Sequence, residues 1–141
     1  MNIGVLGTGF GAYHVELLSK MEHIGRVVVF GRNEVKLQKM QEELNVEVAT
    51  DIADILFDAD IDVIDICLPT PLHKHYAIEA LKNGKHVFCE TPVCYEMADK
   101  RDLPHVGRLG PSLNLHKFDD PRLGFSDLAA GASREVYGMG H

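Results

Sequence analysis

A chain of 141 residues, 45% hydrophobic and 25% charged, has the composition of a soluble globular domain long enough to bury a core. Its formal charge of −7 argues against a nucleic-acid partner, which would call for a basic face, and no apolar run is long enough to span a bilayer. The start lacks the basic region and long apolar core of a secretory signal, and Cys67, Cys89 and Cys94 lack zinc-ligand spacing. Reduced thiols in a cytoplasmic protein are therefore expected.

Ile3, Gly4, Val5 and Leu6 read as a buried strand, which breaks at Gly7-Thr8-Gly9-Phe10-Gly11-Ala12 and enters a helix. A strand that turns at glycine into a helix presents unpaired backbone N–H groups and the positive end of the helix dipole, an anion site suited to a pyrophosphate. Gly7 allows the tight turn, Gly9 lets the backbone approach the phosphates, and Ala12 is the small residue where helix and strand pack. Glycine-rich turns also end strands with no ligand, so the turn needs context.

Residues 13–21 carry Val15, Leu17, Leu18 and Met21 at helical spacing. Residues 27–30 form a second strand, and Asn33 caps a helix whose apolar stripe is Val35, Leu37, Met40 and Leu44. Residues 47–49 make a short third strand, and Thr50 with Asp51 opens a brief helix through Leu56. Residues 61–68 are the fourth strand. Thr70 then caps a helix with Pro71 in its first turn and Leu72, Tyr76, Ile78, Ala80 and Leu81 on its buried side, and Gly84 ends it. Residues 86–89 are the fifth strand. This alternation predicts an α/β fold with a doubly wound parallel sheet.

In such a sheet ligands bind outside the carboxyl ends of the strands, where the strand order reverses. The first and fourth strands flank that point. Gly7 to Gly9, then Leu68, Pro69 and Thr70, and finally Glu90, Thr91 and Pro92 therefore converge on one crevice.

Residues 3–11 with His14, residues 62–73, and above all the block from Ala80 through Gly84, Lys85, His86 and Val87 to Glu90, Thr91 and Pro92 resemble the glucose–fructose oxidoreductase/inositol dehydrogenase (Gfo/Idh/MocA) family. The resemblance covers about residues 2–95. It implies an NAD(P)-dependent oxidoreductase acting on sugar- or polyol-like compounds, with a Rossmann dinucleotide-binding domain at 1–95 and a remainder, 96–141, that is an irregular tail or the remnant of a substrate domain. By resemblance Glu90 lies beside the nicotinamide ribose, Pro69 is the proline after the fourth strand, and His73 is a recurrent histidine at the helix start.

Cofactor choice is read at the second strand. Where an NAD-preferring fold places a carboxylate on the ribose hydroxyls, this chain has Gly31, followed by Arg32 and Asn33. A guanidinium can hold a 2′-phosphate in bidentate fashion, so NADP is favoured over NAD. A solvated Arg32, or one stacked on adenine, is the competing reading.

The pattern breaks in two places. Thr91 stands where the family has a lysine beside the nicotinamide, and a hydroxyl cannot supply that charge. From Glu96 onward no strand or helix period lasts, apart from a short helical stretch at 125–132 opening at Ser126 and Asp127. The closing Gly138, Met139, Gly140 and His141 are similar to the family's motif in which an acid–base histidine follows Asp-x-Gly-x, with Tyr137 in place of the aspartate. A plain flexible terminus is the competing reading. The expected site is thus Gly7, Thr8, Gly9, Phe10, Gly11, Gly31, Arg32, Asn33, Leu68, Pro69, Thr70, His73 and Glu90 for the cofactor, with Thr91 and His141 as catalytic candidates and no metal.

His73 and His75, two apart on a helix, point to different sides and do not share a metal. The main functional expectation is hydride transfer between NADP or NAD and a sugar- or polyol-like alcohol or ketone. A non-catalytic NAD(P)-binding or regulatory module is the alternative, and an S-adenosylmethionine-dependent methyltransferase is a weaker third. No membrane or nucleic-acid partner is expected. Apolar surface left by a missing partner domain would allow a homo-oligomer.

Overall fold

The computed structural model of the chain describes residues 1–90 and 113–116. Strand and helix alternate as β1 (Ile3–Leu6), α1 (Phe10–Leu18), β2 (Val27–Phe30), α2 (Glu34–Leu44), β3 (Glu47–Ala49), α3 (Ala53–Leu56), β4 (Val63–Ile66), α4 (Thr70–Lys82) and β5 (His86–Glu90), with β6 (Leu113–His116) beyond them. The strands form one sheet in the order β3-β2-β1-β4-β5-β6, and every pairing is parallel. The chain winds outward from β1 to β3 and then returns to build β4 to β6 on the other side. The expected doubly wound α/β sheet is present, with its reversal between β1 and β4.

Strands covered on both faces must be apolar throughout, and β1, β2 and β4 are buried at every position. Their period of two divides the core into two layers. Leu6, Val28, Ile64 and Ile66 pack with Ile55 of α3 and Ala77 and Leu81 of α4. Ile3, Val5, Val29 and Val63 pack on the other face with Val15 and Leu18 of α1 and Leu37 and Met40 of α2.

Gly4 marks the tightest approach in the first layer. A Cβ there would stand 2.2 Å from Ile55 Cγ2 and 3.2 Å from Ile64 Cδ1. Gly4→Ala is expected to lower stability by about 1–3 kcal/mol through overpacking, read as a fall in the urea midpoint at unchanged slope.

Local signals account for most boundaries. The Asn33 carboxamide oxygen accepts from the Lys36 N–H at 3.1 Å and starts α2. Gly84, at φ +75°, follows the end of α4, and its N–H bonds the Leu81 carbonyl at 3.0 Å. Lys85 is buried, its ammonium donating to the carbonyls of Asp58 (2.6 Å) and Ile61 (2.9 Å), so it pins the approach to β4. That burial lowers its pKa.

The structure corrects the sequence reading at several elements. Val35 is 79% exposed: with α2 facing the sheet through Leu37 and Met40, a residue two before Leu37 points to the opposite side. On α4 the buried face is His73, Ala77, Ala80 and Leu81, at i, i+4, i+7 and i+8. Tyr76 and Ile78 flank that face, and Leu72 is 36% exposed. Pro69, rather than Thr70, is the N-cap. Finally, β6 lies within 96–141, where the pattern predicts no strand. Its four residues pair with residues 87–90, too short a run to show a period among glycines and prolines.

Candidate functional site

The carboxyl ends of β1, β2 and β4 open on a cleft of about 580 Å³. Gly7 and Thr8 form one wall, and Gly31, Arg32 and Asn33, following β2, form another. Leu68 and Pro69 enter from the end of β4. These seven expected residues are brought together from three separate stretches. Phe30, Thr50, Asp51, Ile52, Leu72 and Tyr76 complete the lining; their sequence pattern points only to a strand, to helix starts and to the core.

The glycine turn is built for close approach. Gly7 has φ +110°, a conformation L side chains rarely adopt, and a Cβ there would stand 2.7 Å from the Cys67 carbonyl oxygen. Its N–H bonds the Phe30 carbonyl at 2.9 Å, so the turn is also tied to β2. Gly9 differs. A Cβ on Gly9 would meet nothing within 4 Å among the described residues, so their packing leaves open space in front of it. As the N-cap of α1, Gly9 supplies no side-chain cap, and the first turn of α1 holds no acidic residue. Open space ahead of a helix start that no side chain caps suits an anionic group.

Four further expected residues do not line the cleft. Gly11, rather than Ala12, makes the close helix–strand contact: a Cβ on it would lie 3.2 Å from Val5 Cγ1 and 3.5 Å from Cys67 Cβ. Phe10 is 56% exposed and does not line the cleft. His73 is buried, and its Nε2–H donates to the Leu68 carbonyl, which fixes the turn at Leu68 and Pro69 from beneath. Thr70 begins α4 outside the cleft lining. His75 is exposed, on a different side of α4 from the buried His73. Glu90 ends β5. Thr91, Pro92, Cys94, the helical stretch at 125–132 and His141 lie outside the described residues.

At the end of β2 the space above Gly31 is filled by Thr8. A Cβ on Gly31 would stand 2.5 Å from Thr8 Cγ2 and 3.2 Å from Leu37 Cδ2. The position where a ribose-binding carboxylate would be expected is thus glycine, with no room for a longer side chain as Thr8 now lies. Arg32 beside it is exposed at the cleft. Asp51 keeps one carboxylate oxygen on the Ala53 N–H at 2.9 Å and stands at the same cleft.

Under the turn lies a polar cluster that the sequence reading missed. His14, Asp65 and Cys67 are buried, with His14 Nδ1 2.5 Å from Asp65 Oδ2. Cys67 Sγ lies 3.3 Å from His14 Nδ1 and 3.5 Å from Asp65 Oδ1. The carboxylate accepts from the imidazole N–H and the thiol. Two ligands of one tetrahedral zinc, with bonds of about 2.0–2.1 Å, stand roughly 3.3 Å apart, so the 2.5 Å spacing is that of a hydrogen bond. Period two was the available signal: Asp65 shares a strand face with Val63, and that face meets α1. Cys67 and Cys89 are both buried, and neither is in a disulfide among the described residues.

The profile of the GFO/IDH/MocA family (oxidoreductase family, NAD-binding Rossmann fold) matches residues 1–106. The chain is 35% identical over 101 residues to a myo-inositol 2-dehydrogenase of Thermotoga maritima, covering 70% of this chain and 30% of that protein. It is 32% identical over 115 residues to the uncharacterized oxidoreductase YrbE of Bacillus subtilis, covering 79% and 34%. Among solved structures it resembles the scyllo-inositol dehydrogenase of Lactobacillus casei with bound NAD(H) and scyllo-inositol. The TM-score is 0.74 and the identity 28%, over 93% of this chain and 41% of that one. The chain therefore spans about a third of the length of the curated relatives it matches. Among the described residues no helix is long and apolar enough to cross a membrane.

Proposed function

Since the chain belongs to the GFO/IDH/MocA oxidoreductase family, we propose that it binds a nicotinamide dinucleotide in this cleft, NADP in preference to NAD. On this reading it serves hydride transfer to or from a sugar- or polyol-like alcohol or ketone. The observation that carries the reading is the open space at Gly9 before the uncapped start of α1, at the point where strand order reverses. The pyrophosphate sits at Gly7, Thr8 and Gly9, the adenosine ribose at Gly31, Arg32 and Asn33, and the nicotinamide end toward Leu68, Pro69 and Glu90. His73 acts from beneath by holding that turn.

The cofactor supplies the hydride chemistry, and the protein orients the ring and handles one proton. We assign Thr91 to the nicotinamide end and His141 to the proton, both by resemblance. The dinucleotide-binding domain is 1–95, joined by β6 from the remainder, 96–141. The acidic charge and buried thiols support a cytoplasmic protein without nucleic-acid partners. The relatives' names support a sugar- or cyclitol-like substrate.

Turnover is tested with NADP, NAD and a panel of polyols and cyclitols, following absorbance at the reduced-nicotinamide band. A substrate-dependent rise supports the oxidoreductase. Saturable nucleotide binding with no rise selects the non-catalytic module, which Thr91 in place of lysine favours. Arg32→Ala is expected to weaken NADP about tenfold or more and NAD little, because it removes a charge-assisted contact only the 2′-phosphate makes. Equal losses for both nucleotides would sink the Arg32 assignment.

A further inference from the structure

We infer that Cys67 is an oxidation site: a peroxide converts its thiol to a sulfenic acid, and the added oxygen displaces the glycine turn and weakens nucleotide binding. The effect on the cleft rests on the cofactor reading above, whereas the reactivity of the thiol rests on its own surroundings.

Cys67 directly follows β4 and stands between the buried polar cluster and the turn. On one side its Sγ lies 3.3 Å from His14 Nδ1 and 3.5 Å from Asp65 Oδ1. On the other it meets the start of α1, where a Cβ on Gly11 would lie 3.5 Å from Cys67 Cβ and 4.0 Å from its Sγ. Its carbonyl oxygen is the atom that a Cβ on Gly7 would approach to 2.7 Å. One residue therefore touches the first and last glycines of the turn, and Leu68 after it lines the cleft.

The thiolate is the form that attacks a peroxide, and the cluster assists its formation. Asp65 accepts the thiol proton along the contact already present, and the His14 N–H is within reach of the sulfur anion. Sulfur then attacks one peroxide oxygen. The S–O bond forms as the O–O bond breaks, and the second oxygen leaves as hydroxide and takes up the thiol's proton, giving water. Sulfur loses the electron pair that the peroxide gains, and a dithiol reductant returns the sulfenic acid to thiol.

Packing decides what the new oxygen moves. Cys67 is 9% exposed and packs in one layer with Val5, Val15 and Leu18, so an added atom requires something to shift. Strand β4 is hydrogen-bonded on both sides, to β1 and to β5. Helix α1 meets the sheet through side chains, so α1 yields and takes the glycine turn with it. The coupling is reciprocal: a nucleotide that holds the turn down protects the thiol. Cys89, fully buried on β5, packs in the other layer with Leu6, Ile64 and Ile66 and serves as the internal control.

The test treats the full chain with hydrogen peroxide, with and without NADP. Sulfenic acid is trapped with dimedone and mapped by peptide mass spectrometry, and the treated protein is titrated with NADP. The expected result is labelling at Cys67 and not at Cys89, slowed about tenfold or more by saturating NADP. NADP affinity of the oxidised protein should fall about tenfold or more and return with dithiothreitol. Cys67→Ala keeps the backbone carbonyl and should hold its NADP affinity through the same treatment. Cys67 left unlabelled in the folded chain overturns the inference, as does labelling without loss of NADP affinity. An equal loss in Cys67→Ala assigns the effect to another residue and overturns it too. Labelling and protection are read on the unaltered chain, so they decide the matter even if that variant does not fold. Failure of the untreated chain to bind NADP or NAD overturns the cofactor reading and the coupling with it, and the labelling still decides whether the thiol reacts.

Discussion

Asp65→Ala is expected to cost about 3–5 kcal/mol of folding stability. The carboxylate is fully buried in the middle of β4 and is held by His14 Nδ1 at 2.5 Å and by the Cys67 thiol at 3.5 Å. Removing it leaves an imidazole and a thiol in an apolar layer without the acceptor they share, and it opens a cavity between α1 and the sheet. More than half of a typical domain's stability would be lost if that stability lies near 5 kcal/mol. His14→Ala should cost a similar amount from the other side. The double variant should then fall well short of the sum, because the second change removes a group already stranded. Urea unfolding of the four proteins measures the coupling. Strict additivity, or an Asp65→Ala protein within about 0.5 kcal/mol of the parent, would refute the pair's role in joining α1 to β4.

Gly7→Ala should be nearly as severe and should strike binding as well. The residue sits at φ +110°, and its Cβ would stand 2.7 Å from a backbone oxygen, which cannot swing aside as a side chain can. Strain alone costs about 1–3 kcal/mol. Relief requires the turn to pull away from Cys67, which displaces Thr8, Gly9 and the start of α1 together. Nucleotide affinity is therefore expected to fall at least about a hundredfold, beyond the loss of any one contact. Gly9→Ala provides the contrast. Its Cβ meets no described atom within 4 Å, so stability should hardly change while binding falls, because the methyl enters the space assigned to the phosphates. Thermal melts beside fluorescence titrations separate the two variants. A Gly9→Ala protein with unchanged affinity would mean that the phosphates do not occupy the space in front of that glycine.

Much of this architecture was legible because parallel strands buried on both faces read as short apolar runs, and β1, β2, β4 and β5 all do. The turn chemistry was legible too, since Asn33 and Gly84 act where their residue types predict. What escaped was set by tertiary geometry. Val35 looked apolar and proved exposed, because the direction α2 faces depends on the sheet beneath it. His73 looked like a cofactor contact and proved to be a buried brace, because α4 turns its 73-77-80-81 face inward. Asp65 was hidden inside an apolar strand, although a carboxylate there demands a partner and His14 lies on the facing helix. The cleft's three walls were found from motif positions. Its far side at Thr50, Asp51 and Ile52 was not, since those residues first announce themselves as a helix start. The sixth strand lay in a stretch with no lasting period.

On the proposed reading, the cleft at the ends of β1, β2 and β4 holds a nicotinamide dinucleotide. Calorimetric titration of the purified chain with NADP, and separately with NAD, tests it most directly. One saturable site for each nucleotide, with NADP tighter by about tenfold or more, is the result predicted. A folded protein that takes up neither nucleotide would contradict it.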